Sequence, residues 1–206
     1  MPVRRVSVIN LKGGSGKTTT AVFIAHALQE RGETVLLVDA DPQGSSIRWS
    51  ELADWELPTV SLPTKTLHKQ LPGITPREVT CVVIDTPPLE LQAGIVYSSV
   101  RASTQVIVPM APTPGEADVL PDVRAVLEEM EPLRQEPLPH AVSLNRTVYR
   151  AISTRSTRAA AEANGWQVLD TEIPRKELYS QAFGSPITNL GAYKALATEI
   201  AATEVR

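Results

Sequence analysis

The chain of 206 residues contains a single cysteine, Cys81, so no disulfide can form within it. For the same reason one copy cannot build a cysteine-ligated metal or iron–sulfur site. Aromatic residues make up 4% of the chain, too few for a base-stacking platform for single-stranded nucleic acid. A basic excess is also missing. Twenty Lys and Arg stand against 23 Asp and Glu, for a formal net charge of −3, so any contact with nucleic acid must be a local patch. No apolar run approaches the roughly 20 residues needed to cross a bilayer. The apolar stretch 6–9 behind Arg4 and Arg5 is too short for the core of a signal peptide. A cytoplasmic protein without a membrane partner is the expectation. The three histidines, His26, His68 and His140, have no metal-ligand spacing, and the isolated Trp49, Trp55 and Trp166 read as packing residues.

What remains is an ordinary globular composition, 42% hydrophobic and 21% charged. Short apolar runs alternate with helical stretches. Strands are expected at 5–10, 34–38, 81–84, 105–108, 141–144 and 167–169, and helices at 17–31, 92–102, 117–130, 151–163 and 193–204. Strands that are apolar on both faces suit a parallel sheet buried between helices. The Pro- and Thr-rich stretch 56–77 allows a short strand at Val60 and a helical turn near Leu67. Many of the 17 prolines punctuate the ends of apolar runs. No repeat or linker divides the chain, so the expected fold is α/β, a single doubly wound, mostly parallel sheet flanked by helices over residues 1–206.

The densest signal follows the first strand: Lys12-Gly13-Gly14-Ser15-Gly16-Lys17-Thr18-Thr19, directly before a helix. Strand, glycine-rich loop and helix in that order form a phosphate-binding loop. Glycines let backbone amides approach a polyphosphate, and the helix N-terminus adds a positive dipole. Lys17 would meet the β- and γ-phosphates, the Thr18 hydroxyl would ligate Mg2+, and Thr19 would support the α-phosphate. Lys12 stands where an ordinary loop of this kind needs no charge; by itself it is compatible with a solvated surface lysine. Asp39 and Asp41 lie in Asp39-Ala40-Asp41-Pro42-Gln43-Gly44, and Asp85 in Asp85-Thr86-Pro87-Pro88. Both clusters fall at carboxyl ends of expected strands, where open α/β sheets bind ligands. There a carboxylate can hold Mg2+ or orient a water toward the γ-phosphate. Asp39 and Asp41 can equally be caps of a following helix.

These three segments together resemble the ParA/MinD family of deviant Walker P-loop ATPases, and within it the small plasmid-partition ParA proteins that lack an N-terminal helix-turn-helix. Pro109-Met110-Ala111-Pro112-Thr113-Pro114, Asn145-Arg146, Ile173-Pro174-Arg175 and the later Ala182, Gly184 and Pro186-Ile187 agree with that pattern. The resemblance implies an Mg2+-dependent ATPase that cycles between ATP and ADP and forms a homodimer with ATP sandwiched between protomers. Lys12 would reach the partner's phosphates. Asp85 would hold the Mg2+ shell with Thr18, Asp39 would support the metal side, and Asp41 would orient the attacking water. Asn145 would bond the adenine edge, with Arg146 beside it, Ile173 and Pro174 would pack on the ring, and Glu116 would meet the partner's ribose.

ParA-like proteins bind nonspecific double-stranded DNA as ATP dimers and are released by a centromere-binding partner. Arg146, Arg150, Arg155 and Arg158 form a stretch without acidic residues, followed by Arg175 and Lys176, and these are the candidate DNA surface. A solvated helix face is the plainer reading of the same charges. Two other functions share the loop. A MinD-like membrane regulator needs a basic amphipathic tail, whereas 190–206 carries only Lys194 and Arg206 as cations. A dethiobiotin-synthetase-like ligase usually lacks the combination of Lys12 with Asp39-Ala40-Asp41.

Overall fold

A computed structural model describes residues 3–134 and 136–202. Its centre is a six-stranded sheet of β1 (Arg4–Val8), β2 (Val35–Asp39), β3 (Thr59–Ser61), β4 (Cys81–Asp85), β5 (Gln105–Met110) and β6 (His140–Leu144). The strand order is β3-β2-β4-β1-β5-β6. Every neighbouring pair is parallel.

The apolar runs work because successive side chains of a strand point to opposite faces and both faces are covered. On one face Val6, Val8, Val35, Leu37 and Val83 pack against α1 (Lys17–Glu30) and α9 (Tyr193–Ala202). On the other, Leu36, Val38, Val82 and Ile84 meet α3 (Leu67–Ile74) and α4 (Leu89–Ala102). Val106, Val108, Val142 and Leu144 meet α4 and α6 (Leu120–Met130) on that same side, where Ala161 of α7 (Ile152–Ala163) joins them. The scarce aromatics gather on the first face. Phe23 stacks on Tyr193 at 4.9 Å between centroids and meets Tyr179 edge-on at 5.3 Å and Trp49 at 6.3 Å.

Several boundaries differ from expectation. Residues 167–169 contribute only a parallel bridge, Val142 to Val168, held by the Val142 N–H on the Gln167 carbonyl and the Leu169 N–H on the Val142 carbonyl. The helix expected over 117–130 is two, α5 (Pro114–Ala117) and α6, since Pro121 lacks an N–H and belongs in the first turn of a fresh helix. α4 starts at Leu89 and is interrupted at Gln92, whose φ of −139° is not helical. Helix α2 (Ser45–Ala53) was not expected, since it buries only Ser46, Trp49 and Ala53 and has no apolar stripe. The short α8 (Glu177–Ser180) was not expected either. Residues 203 and 204 of the expected final helix, and Arg206, lie outside the described residues.

His26 of α1 lies edge-on to Trp55, 4.7 Å between centroids, and its shielded Nε2 has no hydrogen-bond partner. Burial pushes its pKa down to about 4. The unfolded chain takes up this proton near 6.5, the folded chain not until about 4, so stability is lost as pH falls through that window. Urea unfolding of wild type and His26→Leu at pH 7 and pH 4 should show wild type losing on the order of 3 kcal/mol relative to the variant, at 1.36 kcal/mol per pKa unit.

Candidate nucleotide site

β1 delivers the chain into the glycine-rich loop, and α1 begins at Lys17. Gly14 (φ +76°) and Gly16 (φ +91°) take left-handed conformations that a side chain would strain. A Cβ on Gly16 would also come within 2.9 Å of Asn145 Nδ2. The loop is closed on itself: buried Lys17 donates from Nζ to the carbonyl of Lys12 at 2.8 Å, and Ser15 Oγ donates to the same oxygen at 3.3 Å. Burial lowers the Lys17 pKa, while Asp85, Asp41, Glu116 and Glu90 counter it in that order. The Lys12 side chain is exposed.

Beside the loop, register places Asp39 at the end of β2 directly opposite Asp85 at the end of β4. Both are fully buried. Asp39 accepts from the N–H of Asp41 through Oδ1 and from the N–H of Ile47 through Oδ2, each at 3.0 Å. Both oxygens thus accept N–H groups at the start of α2, as the helix-cap alternative has it, and each retains a second lone pair. Asp41 accepts from the Gln43 N–H at 2.9 Å through Oδ1 only. Asp85 accepts from Ser46 Oγ at 2.8 Å through Oδ2, and its buried Oδ1 has no partner. Burial, then the charge of Asp39, pushes the Asp85 pKa up to about 7, against the Ser46 and Thr18 hydroxyls and the Lys17 charge. An orphaned carboxylate oxygen beside a threonine hydroxyl at a phosphate loop fits a divalent cation held with phosphate oxygens and water. No cluster of three or more His, Cys, Asp or Glu occurs among the described residues, so the protein alone does not cage such an ion.

A cavity of about 910 Å3 opens from Gly16, Thr18 and Thr19. Asn145, Arg146, Ile173 and Pro174 line it, and Glu116 borders it from α5. Asn145 donates from Nδ2 to the Ser15 carbonyl at 2.8 Å, leaving its buried Oδ1 unpartnered. Arg146 (φ +52°) donates from Nη2 to the Gly14 carbonyl at 2.6 Å.

Residues 6–187 match the CobQ/CobB/MinD/ParA nucleotide binding domain. The chain belongs to this family. It is a ParA/MinD-type ATPase domain. It is 37% identical over 183 residues to maintenance of carboxysome distribution protein A of Gloeobacter kilaueensis, covering 87% of this chain and 77% of that protein. The protein of the same name from Halothiobacillus neapolitanus is 33% identical over 193 residues, 91% of this chain and 88% of its own. Among solved structures, apo McdA of Cyanothece superposes with a TM-score of 0.75 at 18% identity, over 97% of this chain and 100% of that one.

Against the ParA/MinD frame, the six basic candidates divide. Arg150, Arg155, Arg175 and Lys176 are exposed. Arg150 (φ +59°) lies over the Tyr149 ring at 5.0 Å. Arg175 and Lys176 also line the large cavity. Two candidates are engaged elsewhere. Arg146 is bound to the phosphate loop. Arg158, expected to share a face with Arg155, folds back to donate to the carbonyls of Leu169 (2.8 Å) and Val168 (3.4 Å). It also pairs with Glu172 at 3.6 Å and Glu162 at 3.8 Å, so it joins α7 to the following segment. Two residues of the site escaped the sequence reading: Ser46, which holds Asp85, and Trp49, which lines the cavity and donates Nε1 to the Ser185 carbonyl at 2.9 Å. The signal for Ser46 was the Ser45-Ser46 pair that follows Gly44 at a helix start.

Because the folded pKa of Asp85 lies above its ordinary value, the folded apo-protein binds the extra proton, and stability falls as pH rises from about 4 through 7. Removing the charge removes that slope. Asp85→Asn should be more stable than wild type by ~4 kcal/mol at pH 8, from 1.36 kcal/mol per pKa unit, and the gap should close toward pH 4 in thermal or urea unfolding. Magnesium-dependent nucleotide binding, followed by calorimetry, should be lost in the same variant.

Proposed function

We propose that this chain is a cargo-positioning ATPase whose Mg2+–ATP state is a sandwich homodimer that binds DNA without sequence preference, and whose hydrolysis, stimulated by a partner protein, releases it. The observation that carries this reading is the pairing of a closed phosphate loop with an exposed Lys12, whose ammonium has no partner among the described residues although its carbonyl anchors Lys17. A lysine directed away from its own loop is suited to the phosphates of a second copy, where a cation stabilises charge developing at the γ-phosphate. The bound Mg2+ would neutralise phosphate charge between Thr18 and Asp85. Asp41, with Oδ2 uncommitted, would orient the attacking water. Asn145 Oδ1 would accept from the adenine amino group, Ile173 and Pro174 would pack on the ring, and Glu116 would meet the partner's ribose.

The cargo favoured is a protein assembly of the kind named in the McdA relatives, which cover most of this chain, rather than a plasmid with its centromere-binding protein. Among the described residues no helix is long and apolar enough to cross a membrane.

Binding to nonspecific duplex DNA, measured without nucleotide and with ADP, ATP or a slowly hydrolysed analogue, tests the reading. The expected result is ATP-dependent binding lost in Lys12→Ala. If Arg150, Arg155, Arg175 and Lys176 each meet a phosphate, log affinity falls with log salt with a slope of about −3 to −4 per protomer, at roughly 0.9 per phosphate. Tight ATP binding with no DNA affinity in any state would discard the proposal.

A further inference from the structure

The end of the sheet opposite the phosphate loop, where β1 begins and α4 finishes, holds a second cavity of about 370 Å3 beside α3. Val3, Leu71 and Ala102 give it an apolar lining, and Arg5, Arg77 and Arg101 make it cationic. Among the described residues no carboxylate lines it, in a chain whose net charge is −3. Arg5 spends Nε on the Ala102 carbonyl, which leaves its terminal nitrogens uncommitted. Arg77 and Arg101 are exposed.

His68 also lines this cavity. Ser98 Oγ accepts from the His68 backbone N–H at 3.0 Å and lies 2.7 Å from His68 Nδ1. Nε2 is shielded from solvent and has no partner. Burial, with Arg101 and Lys69 nearby, keeps the ring below its ordinary pKa. Three guanidinium groups call for an acceptor with negative charge. The apolar lining calls for a short hydrocarbon body attached to it.

We infer that this cavity binds a small amphipathic carboxylate, its head among Arg5, Arg77 and Arg101 and its body on Val3, Leu71 and Ala102. A planar carboxylate matches the two-pronged geometry of arginine, and the volume lies within the small-ligand range. The site is separate from the nucleotide cavity and does not depend on the function proposed above. The carboxylate can belong to a free acid or to the C-terminus of another protein chain.

Calorimetry of the full chain with octanoate, with 1-octanol, and with an acetylated tetrapeptide ending in leucine as free acid or amide tests this. The acid-ended probes should bind and their uncharged counterparts should not. Arg77→Glu combined with Arg101→Glu, both exposed positions, should weaken the acids at least tenfold while ATP binding stays intact as the check on folding. Tighter binding of octanoate supports a free acid as the natural occupant, and tighter binding of the free-acid peptide supports a chain terminus. Failure of both acids to bind, equal binding of octanol, or indifference to the double charge reversal would each overturn the inference.

Discussion

Two carboxylates buried side by side at the ends of adjoining parallel strands are the constraint around which this site is arranged. Asp39 and Asp85 cannot both sit uncompensated in the interior, because each burdens the other. The chain resolves this asymmetrically. Asp39 is satisfied by two backbone N–H groups from the turn and first residues of α2. Asp85 receives one hydroxyl, from Ser46 of the same helix, and keeps an oxygen unmet. One helix start thus gives N–H groups to one acid and a single hydroxyl to the other. The polar character of α2, which hid it from a search for apolar periodicity, follows from that task.

The same economy governs the cations. Lys17 is held by the carbonyl of Lys12, so the loop is closed around a buried ammonium before any phosphate arrives. Arg146 and Asn145, from the segment after β6, reach across to the carbonyls of Gly14 and Ser15. The phosphate loop is therefore clamped by the segment that also lines the large cavity, and loop and cavity wall are joined through backbone carbonyls. Arg158 is consumed in fixing α7 to the segment after it, which separates it from the exposed arginines nearby despite its i, i+3 spacing from Arg155.

Much of this was legible in the chain itself. A parallel sheet was readable because its strands are apolar on both faces, and the phosphate loop because glycine, lysine and threonine have few other reasons to stand in that order between strand and helix. Element edges were less legible. The break before α6 depended on a proline that could also have begun a longer helix, and 167–169 has strand-like composition but only touches β6 at Val168. The role of Asp39 was open between metal support and helix cap, because composition places a carboxylate at a strand end without saying which N–H groups will face it.

The sequence by itself determined the kind of chemistry: a strand, a loop that cradles phosphate, acids at the ends of further strands, and a lysine before the loop without an ordinary task. These are local features, specified by backbone conformations that glycine permits and by alternation along strands. Tertiary structure decided which of those groups are free to act. Whether a carboxylate is capped or orphaned, whether an arginine points outward or into carbonyls, and whether a histidine of α3 meets arginines from β1 and α4 depend on partners far away along the chain. No spacing rule encodes those encounters, because they arise when distant segments pack and compete for the same hydrogen-bonding groups.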